Sequence, residues 1–139
     1  MLKLITKTIA AVAVVSVALL GSVNAKTLKI ETHFTANSPN GEVAAQFAKN
    51  VEMFSGGSLK VEMFYSSSVS GKSAEVFNSA QTGIIDCDMT GAGYQTGKNA
   101  AFQFAGDVMG GYDNPYQQYD FLKFPGAQDA VDALYNKYG

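Results

Sequence analysis

Between Thr27 and Tyr65 the chain changes its hydrophobic period twice, and that change restricts the folds open to it. Residues 27–34 alternate, with Leu28, Ile30 and Thr32 on one side and Lys29, Glu31 and His33 on the other. Such alternation predicts a strand with one buried face. The run Thr35-Ala36-Asn37-Ser38-Pro39-Asn40 breaks it. Ser38 ahead of Pro39 suits a helix start, because the hydroxyl caps a free N–H and proline is tolerated at the first helical position. Val43, Phe47, Val51 and Phe54 then recur at helical spacing, with Ala44 and Ala48 broadening the apolar face. Gly56-Gly57 offers the left-handed stop, and Leu59 to Tyr65 predicts a second strand. Two strands joined through a helix form a βαβ unit with parallel strands.

The alternation continues. After the small-residue loop Ser66-Ser67-Ser68-Val69-Ser70-Gly71, a helix is predicted over 73–81 and a strand over 84–90. Gly91-Ala92-Gly93-Tyr94-Gln95-Thr96-Gly97-Lys98 follows as a glycine-spaced loop carrying an aromatic. The pattern β-α-β-α-β predicts an α/β fold, an open sheet with helices on both faces. Two further helices are expected over 116–124 and 127–138, the second with Ala127, Ala130, Val131, Leu134 and Tyr138 on one face. No strand follows them, so the chain is expected to be the first part of a longer α/β pattern. Nine Phe and seven Tyr are many for a chain of this size, and some rings must lie exposed or be covered by something else.

Residues 1–25 read as a signal peptide. Lys3 and Lys7 precede an apolar run from Ile9 to Leu20, and Val23-Asn24-Ala25 offers a cleavage site after Ala25. The run is short for a membrane span, so export to the periplasm of a protein covering residues 26–139 is expected. That portion has eight lysines, no arginine and twelve carboxylates. With no basic patch, binding to nucleic acid or to an anionic membrane is unsupported. One cysteine, Cys87, and one histidine, His33, exclude an internal disulfide and a structural zinc site. Cys87 shares a strand side with Ile85 and Met89, which predicts a small core residue. His33, on the polar face of its strand, is expected to be exposed or hydrogen-bonded locally, and Asp86 and Asp88 to lie on a solvated face.

Three motifs carry a family resemblance. Phe47-Ala48-Lys49-Asn50-Val51-Glu52-Met53-Phe54-Ser55-Gly56-Gly57-Ser58-Leu59-Lys60-Val61 is followed by Ala74-Glu75-Val76-Phe77-Asn78-Ser79-Ala80-Gln81-Thr82-Gly83-Ile84-Ile85-Asp86. Tyr94-Gln95-Thr96-Gly97-Lys98-Asn99-Ala100-Ala101-Phe102 comes third. In this order they resemble the N-terminal part of the periplasmic solute-binding receptors of tripartite ATP-independent periplasmic (TRAP) transporters, in the organic-acid or mannitol/chloroaromatic-type branch. The resemblance implies a non-enzymatic binding protein with two lobes closing on a small organic acid, 2-oxo acid-like, for secondary active uptake through TRAP membrane subunits. It also implies that this chain is an incomplete first lobe, without the later arginine that clamps the ligand carboxylate. No cofactor is expected from this part, although a cation beside the ligand belongs to the full-length family. Two departures stand out: Asp107-Val108-Met109 replaces a proline-phenylalanine turn, and Gln95 replaces an aromatic.

Open α/β sheets bind ligands outside the carboxyl ends of their strands. Phe34 and Thr35 leave the first strand there, Ser70 lies in the loop after the second, and Tyr94 and Gln95 follow the third. Each is a candidate ligand-binding residue. A loop of small hydroxyl residues ahead of a helix also suits an anion. Tyr94 offers a ring to close over a small acid and a hydroxyl to bond it, and the resemblance places it at a pocket position. Against these stand a loop phenylalanine packed on its own domain and a solvated serine. Two rival functions remain open, an exported α/β hydrolase using Cys87 or a loop serine as nucleophile and a small domain that buries its aromatics by self-association.

Overall fold

The computed structural model describes residues 25–106, 108 and 110–139. Residues 1–24 of the leader, and Asp107 and Met109 of the departure noted above, lie outside them. Strand β1 is Lys26–Thr32, helix α1 Pro39–Phe54, and strand β2 Leu59–Phe64. A 3-10 turn at Ser73–Glu75 leads into α2, Val76–Gln81, and then β3, Cys87–Met89. Two 3-10 segments, Ala92–Gln95 and Ala100–Phe104, precede α3 (Pro115–Lys123) and α4 (Ala127–Tyr135).

The sheet is parallel in the order β2-β1-β3. Ile30 pairs with Met63 on one side and Cys87 on the other, so the first strand becomes the central one. That position corrects the one-faced strand expected from alternation. Ile30, Glu31 and Thr32 are all buried, which means that both faces of β1 are covered where it ends.

Helix α1 starts and stops where its sequence says. Ser38 Oγ accepts the Gly41 N–H at 3.1 Å, and Pro39 opens the first turn. At the other end Gly56 and Gly57 adopt φ of 61° and 80°. Its buried side is only the small-residue part of the expected face, however. Gly41, Ala44 and Ala48 are buried, while Val43, Phe47 and Phe54 are exposed. Small residues let the helix backbone approach closely, and the larger apolar residues are left outside.

The third strand is shorter than expected because Asp86 leaves the ladder. Its N–H donates to the Lys29 carbonyl at 2.8 Å, and its carboxylate accepts the Lys29 N–H at 2.8 Å. Cys87 is exposed rather than buried, a second correction, since it begins a strand at the sheet edge. A core cluster lies in the later part of the chain. Phe102 is fully buried, with its ring 5.1 Å from Tyr135, 5.6 Å from Tyr138 and 6.1 Å from Phe77. Leu134 of α4 and Ala92 close around it, which docks the last helix onto the loops after β3.

Candidate functional site

Because the strands are parallel, β1 and β3 deliver their exit loops to the same end of the sheet. Phe34 follows β1, and Met89, Thr90 and Tyr94 end or follow β3. Together with His33 and Asn40 of the first turn of α1, they line a hollow of about 740 Å³. This volume lies within the range of small-molecule sites. A smaller apolar hollow of about 250 Å³ adjoins it, shared through Phe34, Asn40 and Met89 and continued by Val43 and Phe47.

Rings dominate the larger hollow. The His33 imidazole lies 3.9 Å from the Phe34 ring, centroid to centroid, and meets the Tyr94 ring edge-on at 5.1 Å. His33 is therefore half-buried among aromatics rather than exposed. Burial pushes its pKa below the ordinary value, with the charge of Asp88 acting in the opposite direction. Asp88 is also half-buried, and burial holds its carboxyl above the usual range against the pull of Thr90 and His33. The repulsion of Glu31 adds to that rise. Expecting a solvated face was wrong for Asp88 because residues 87–89 pair with a strand buried on both sides.

Three polar atoms of this region are buried without a hydrogen-bond partner, namely His33 Nδ1, Asp88 Oδ1 and Thr90 Oγ1. Buried polar atoms are nearly always partnered in folded proteins, and the Thr90 hydroxyl does lie close enough to Asp88 to favour its carboxylate. His33 and Thr90 belong to the lining of the hollow itself. Sequence reasoning missed both. The signal was there in part: His33 and Thr90 are the residues next beyond paired strand ends, where ligands gather.

The five residues expected from sequence divide. Phe34 and Tyr94 face the hollow together. Thr35 is exposed, and its carbonyl accepts from the Ser38 hydroxyl at 2.7 Å, so it sets the entry to α1. Gln95 is buried, and its side chain donates to the Ala74 carbonyl at 3.3 Å. Ser70 gives its hydroxyl to Glu31, and its oxygen lies 2.7 Å from that of Ser79. The serine loop does cradle a carboxylate, but here it is the chain's own. Val69 N–H reaches Glu31 Oε1 at 2.6 Å and Ser70 N–H at 3.2 Å. Ser70, Thr35 and Gln95 are not among the residues lining the hollow.

Nucleophilic chemistry has little to work with. Although Cys87 is open to solvent as a residue, partial desolvation and then the Asp86 charge push its thiol up, opposite to activation. Ser70 gives its hydroxyl to Glu31 and does not line the hollow. Among the described residues no three or more His, Cys, Asp or Glu side chains gather to hold a metal. No helix among them is long and apolar enough to cross a membrane.

Comparison with known proteins agrees with the motifs. The family model for bacterial extracellular solute-binding proteins, family 7 (DctP), matches residues 30–108. No curated protein matches the chain. A TRAP periplasmic solute-binding protein from Rhodobacter sphaeroides, solved in an open apo form, superposes with a TM-score of 0.74 at 26% identity over 81% of this chain. One from Pseudoalteromonas atlantica, with bound sodium and pyruvate, gives 0.75 at 20% identity over 84%. A third, from Bordetella bronchiseptica with calcium and picolinate, gives 0.73 at 21% identity over 82%. The chain spans 36%, 35% and 34% of those three chains, about a third of each. By the family match over residues 30–108, the chain belongs to the bacterial extracellular solute-binding proteins of family 7, the TRAP periplasmic solute-binding family.

Proposed function

We propose that the hollow between Phe34 and Tyr94 is one wall of a site that captures a small organic acid, 2-oxo acid-like, for TRAP-type uptake. The supporting observation is the hollow of about 740 Å³ that Phe34 and Tyr94 line together with His33, Asn40 and Thr90, at the carboxyl ends of β1 and β3. The rings offer an apolar bed and Asn40 a polar contact at the rim, the mixture that small-molecule sites use. Related folds hold pyruvate in one case and picolinate in another, which sets the class of ligand to test.

In this proposal the receptor works in the periplasm after removal of the leader at residues 1–25. A second wall closes over the acid, and the closed form docks on TRAP membrane subunits. Two of the related structures carry a cation, sodium or calcium. The described residues of this chain offer no donor set of three or more acidic, histidine or cysteine side chains for one, so no step here is assigned to a cation.

The test is a titration of the chain with pyruvate to millimolar concentration, followed by two-dimensional NMR. Shifts confined to Phe34, His33, Thr90 and Tyr94 are expected, and Phe34→Ala and Tyr94→Ala should each weaken them by about tenfold or more. Shifts spread elsewhere, or none, would remove this hollow as the binding wall.

A further inference from the structure

Helix α1 borders both hollows with one face. Asn40, Val43, Ala44 and Phe47 stand at i, i+3, i+4 and i+7, the spacing of a single helical stripe. Asn40 lines the larger hollow and the smaller, while Val43, Ala44 and Phe47 line only the smaller. Ala44 is buried, and its small side chain leaves a dip between Val43 and Phe47, which stand 68% and 46% exposed. Phe34 and Met89 also line both hollows. The Met89 side chain is unbranched, and such a thioether adapts to irregular shapes. The smaller hollow of about 250 Å³ thus opens from the larger through Phe34, Asn40 and Met89, and past Asn40 its lining is wholly apolar.

From this continuity we infer that the smaller hollow is a second compartment of the ligand site, taking the apolar tail of an acid longer than pyruvate. The inference rests on the ligand hollow proposed above. The polar end of the acid lies in the larger hollow beside Phe34 and Tyr94, and the tail runs past Asn40 along α1. Val43 lies about 4.5 Å along the helix axis from Asn40, and Phe47 about 10 Å, so a tail of roughly three or four carbons reaches Val43 and a longer one Phe47. A seated tail removes these two side chains from water, a gain of about three- to fourfold in affinity for each methylene buried. The three residues shared by the two hollows favour a ligand tail over a second copy of the chain as the occupant.

The experiment titrates the full chain with the straight-chain acids pyruvate, 2-oxobutyrate, 2-oxopentanoate and 2-oxohexanoate, reading the NMR shifts of Phe34, Val43, Phe47 and Tyr94. Affinity is expected to rise about three- to fourfold with each added carbon, and Val43 and Phe47 to respond only to the longer acids. Val43→Ser and Phe47→Ser, at exposed positions, should each flatten this rise. Phe54→Ser, on the same helix but outside both hollows, should leave it. If Phe34 and Tyr94 respond to every acid but affinity is level along the series, the second compartment is overturned while the larger hollow stands. If the rise persists in both Val43→Ser and Phe47→Ser, the tail lies elsewhere and the inference is overturned. If Val43 and Phe47 move with protein concentration and not with tail length, a second copy covers the stripe and the compartment is overturned. If no acid moves Phe34 or Tyr94, the proposed ligand hollow fails and its tail compartment with it.

Discussion

Ser70 turns its hydroxyl onto the buried carboxylate of Glu31, thirty-nine residues earlier in the chain. Two backbone N–H groups, of Val69 and Ser70, complete the cradle. Glu31 thus ties the loop after β2 to the carboxyl end of β1. The loop needs such a tie, because Ser66 and Ser67 both stand at left-handed φ, 58° and 52°, which costs non-glycine residues on the order of 1 kcal/mol each. Their N–H groups bond the Phe34 and Thr32 carbonyls, so the same loop braces the exit that carries Phe34.

Glu31→Gln should therefore destabilise the fold by about 1.5–3 kcal/mol, the usual worth of hydrogen bonds to a charged group. The amide keeps one acceptor but presents a donor toward Ser70. Ser70→Ala should cost a similar amount, and the double variant less than their sum, because the two act on one interaction. Urea unfolding midpoints at constant m measure this. Additive losses would show that the loop does not depend on the Glu31–Ser70 contact.

Gly41 makes a prediction of a different kind. A Cβ built there would meet the Thr35 carbonyl oxygen at 2.0 Å and that of Ala36 at 2.8 Å. Both are backbone atoms, so the 35–36 turn must move to admit a methyl group. Gly41→Ala should cost about 1–3 kcal/mol as overpacking. Since that turn directly follows Phe34, it should also disturb the Phe34 resonances, whereas Gly93→Ala, with open space around its Cβ, should not. Comparing the two variants by calorimetry and NMR decides it.

The same helix shows how far the sequence could be read. Its start at Ser38-Pro39 and its stop at Gly56-Gly57 were legible because capping is local chemistry. Its inward face was not. Apolar spacing marked Val43, Phe47 and Phe54 as loudly as Ala44 and Ala48, and only the packing distance to the sheet chooses between them. Parallel pairing was legible from the crossover, yet the burial of Glu31 and the half-burial of Asp88 were not, since alternation suggested one wet face for each strand. Phe34 and Tyr94 came from the rule of strand ends. Ser70 and Gln95 obey the same rule, but a carboxylate and a carbonyl from within the chain occupy them. The observed face yields its own prediction. Phe54→Ser, at a residue 81% exposed, should change stability by no more than about 0.5 kcal/mol. Ala44→Leu, at 2% exposure, should cost about 1–3 kcal/mol. The opposite ranking in thermal melts would restore the larger residues as the packing face.

The pair His33 and Asp88 gives stability two pH-dependent terms with opposite signs. Burial raises the folded pKa of Asp88 above its ordinary 3.8, so in that window the native state holds more protons than the unfolded chain. Stability is then greatest below 3.8 on this term and declines as pH rises through the folded value. Burial lowers the folded pKa of His33 below its ordinary 6.5, so between the two values the unfolded chain holds more protons. That contribution is fully present above 6.5 and is lost as pH falls through the folded value. Asp88→Asn removes the first term, and should make the protein more stable at neutral pH with the advantage fading in acid. It also removes the charge that favours imidazolium, so His33 should resist protonation more and the loss of stability below 6.5 should become steeper. His33→Gln should abolish that loss and leave the acid-side term of Asp88, enlarged by the absent cationic partner. Urea midpoints of the three proteins between about pH 3 and pH 8 separate the terms. Parallel curves for all three would show that neither group is held as the structure places it.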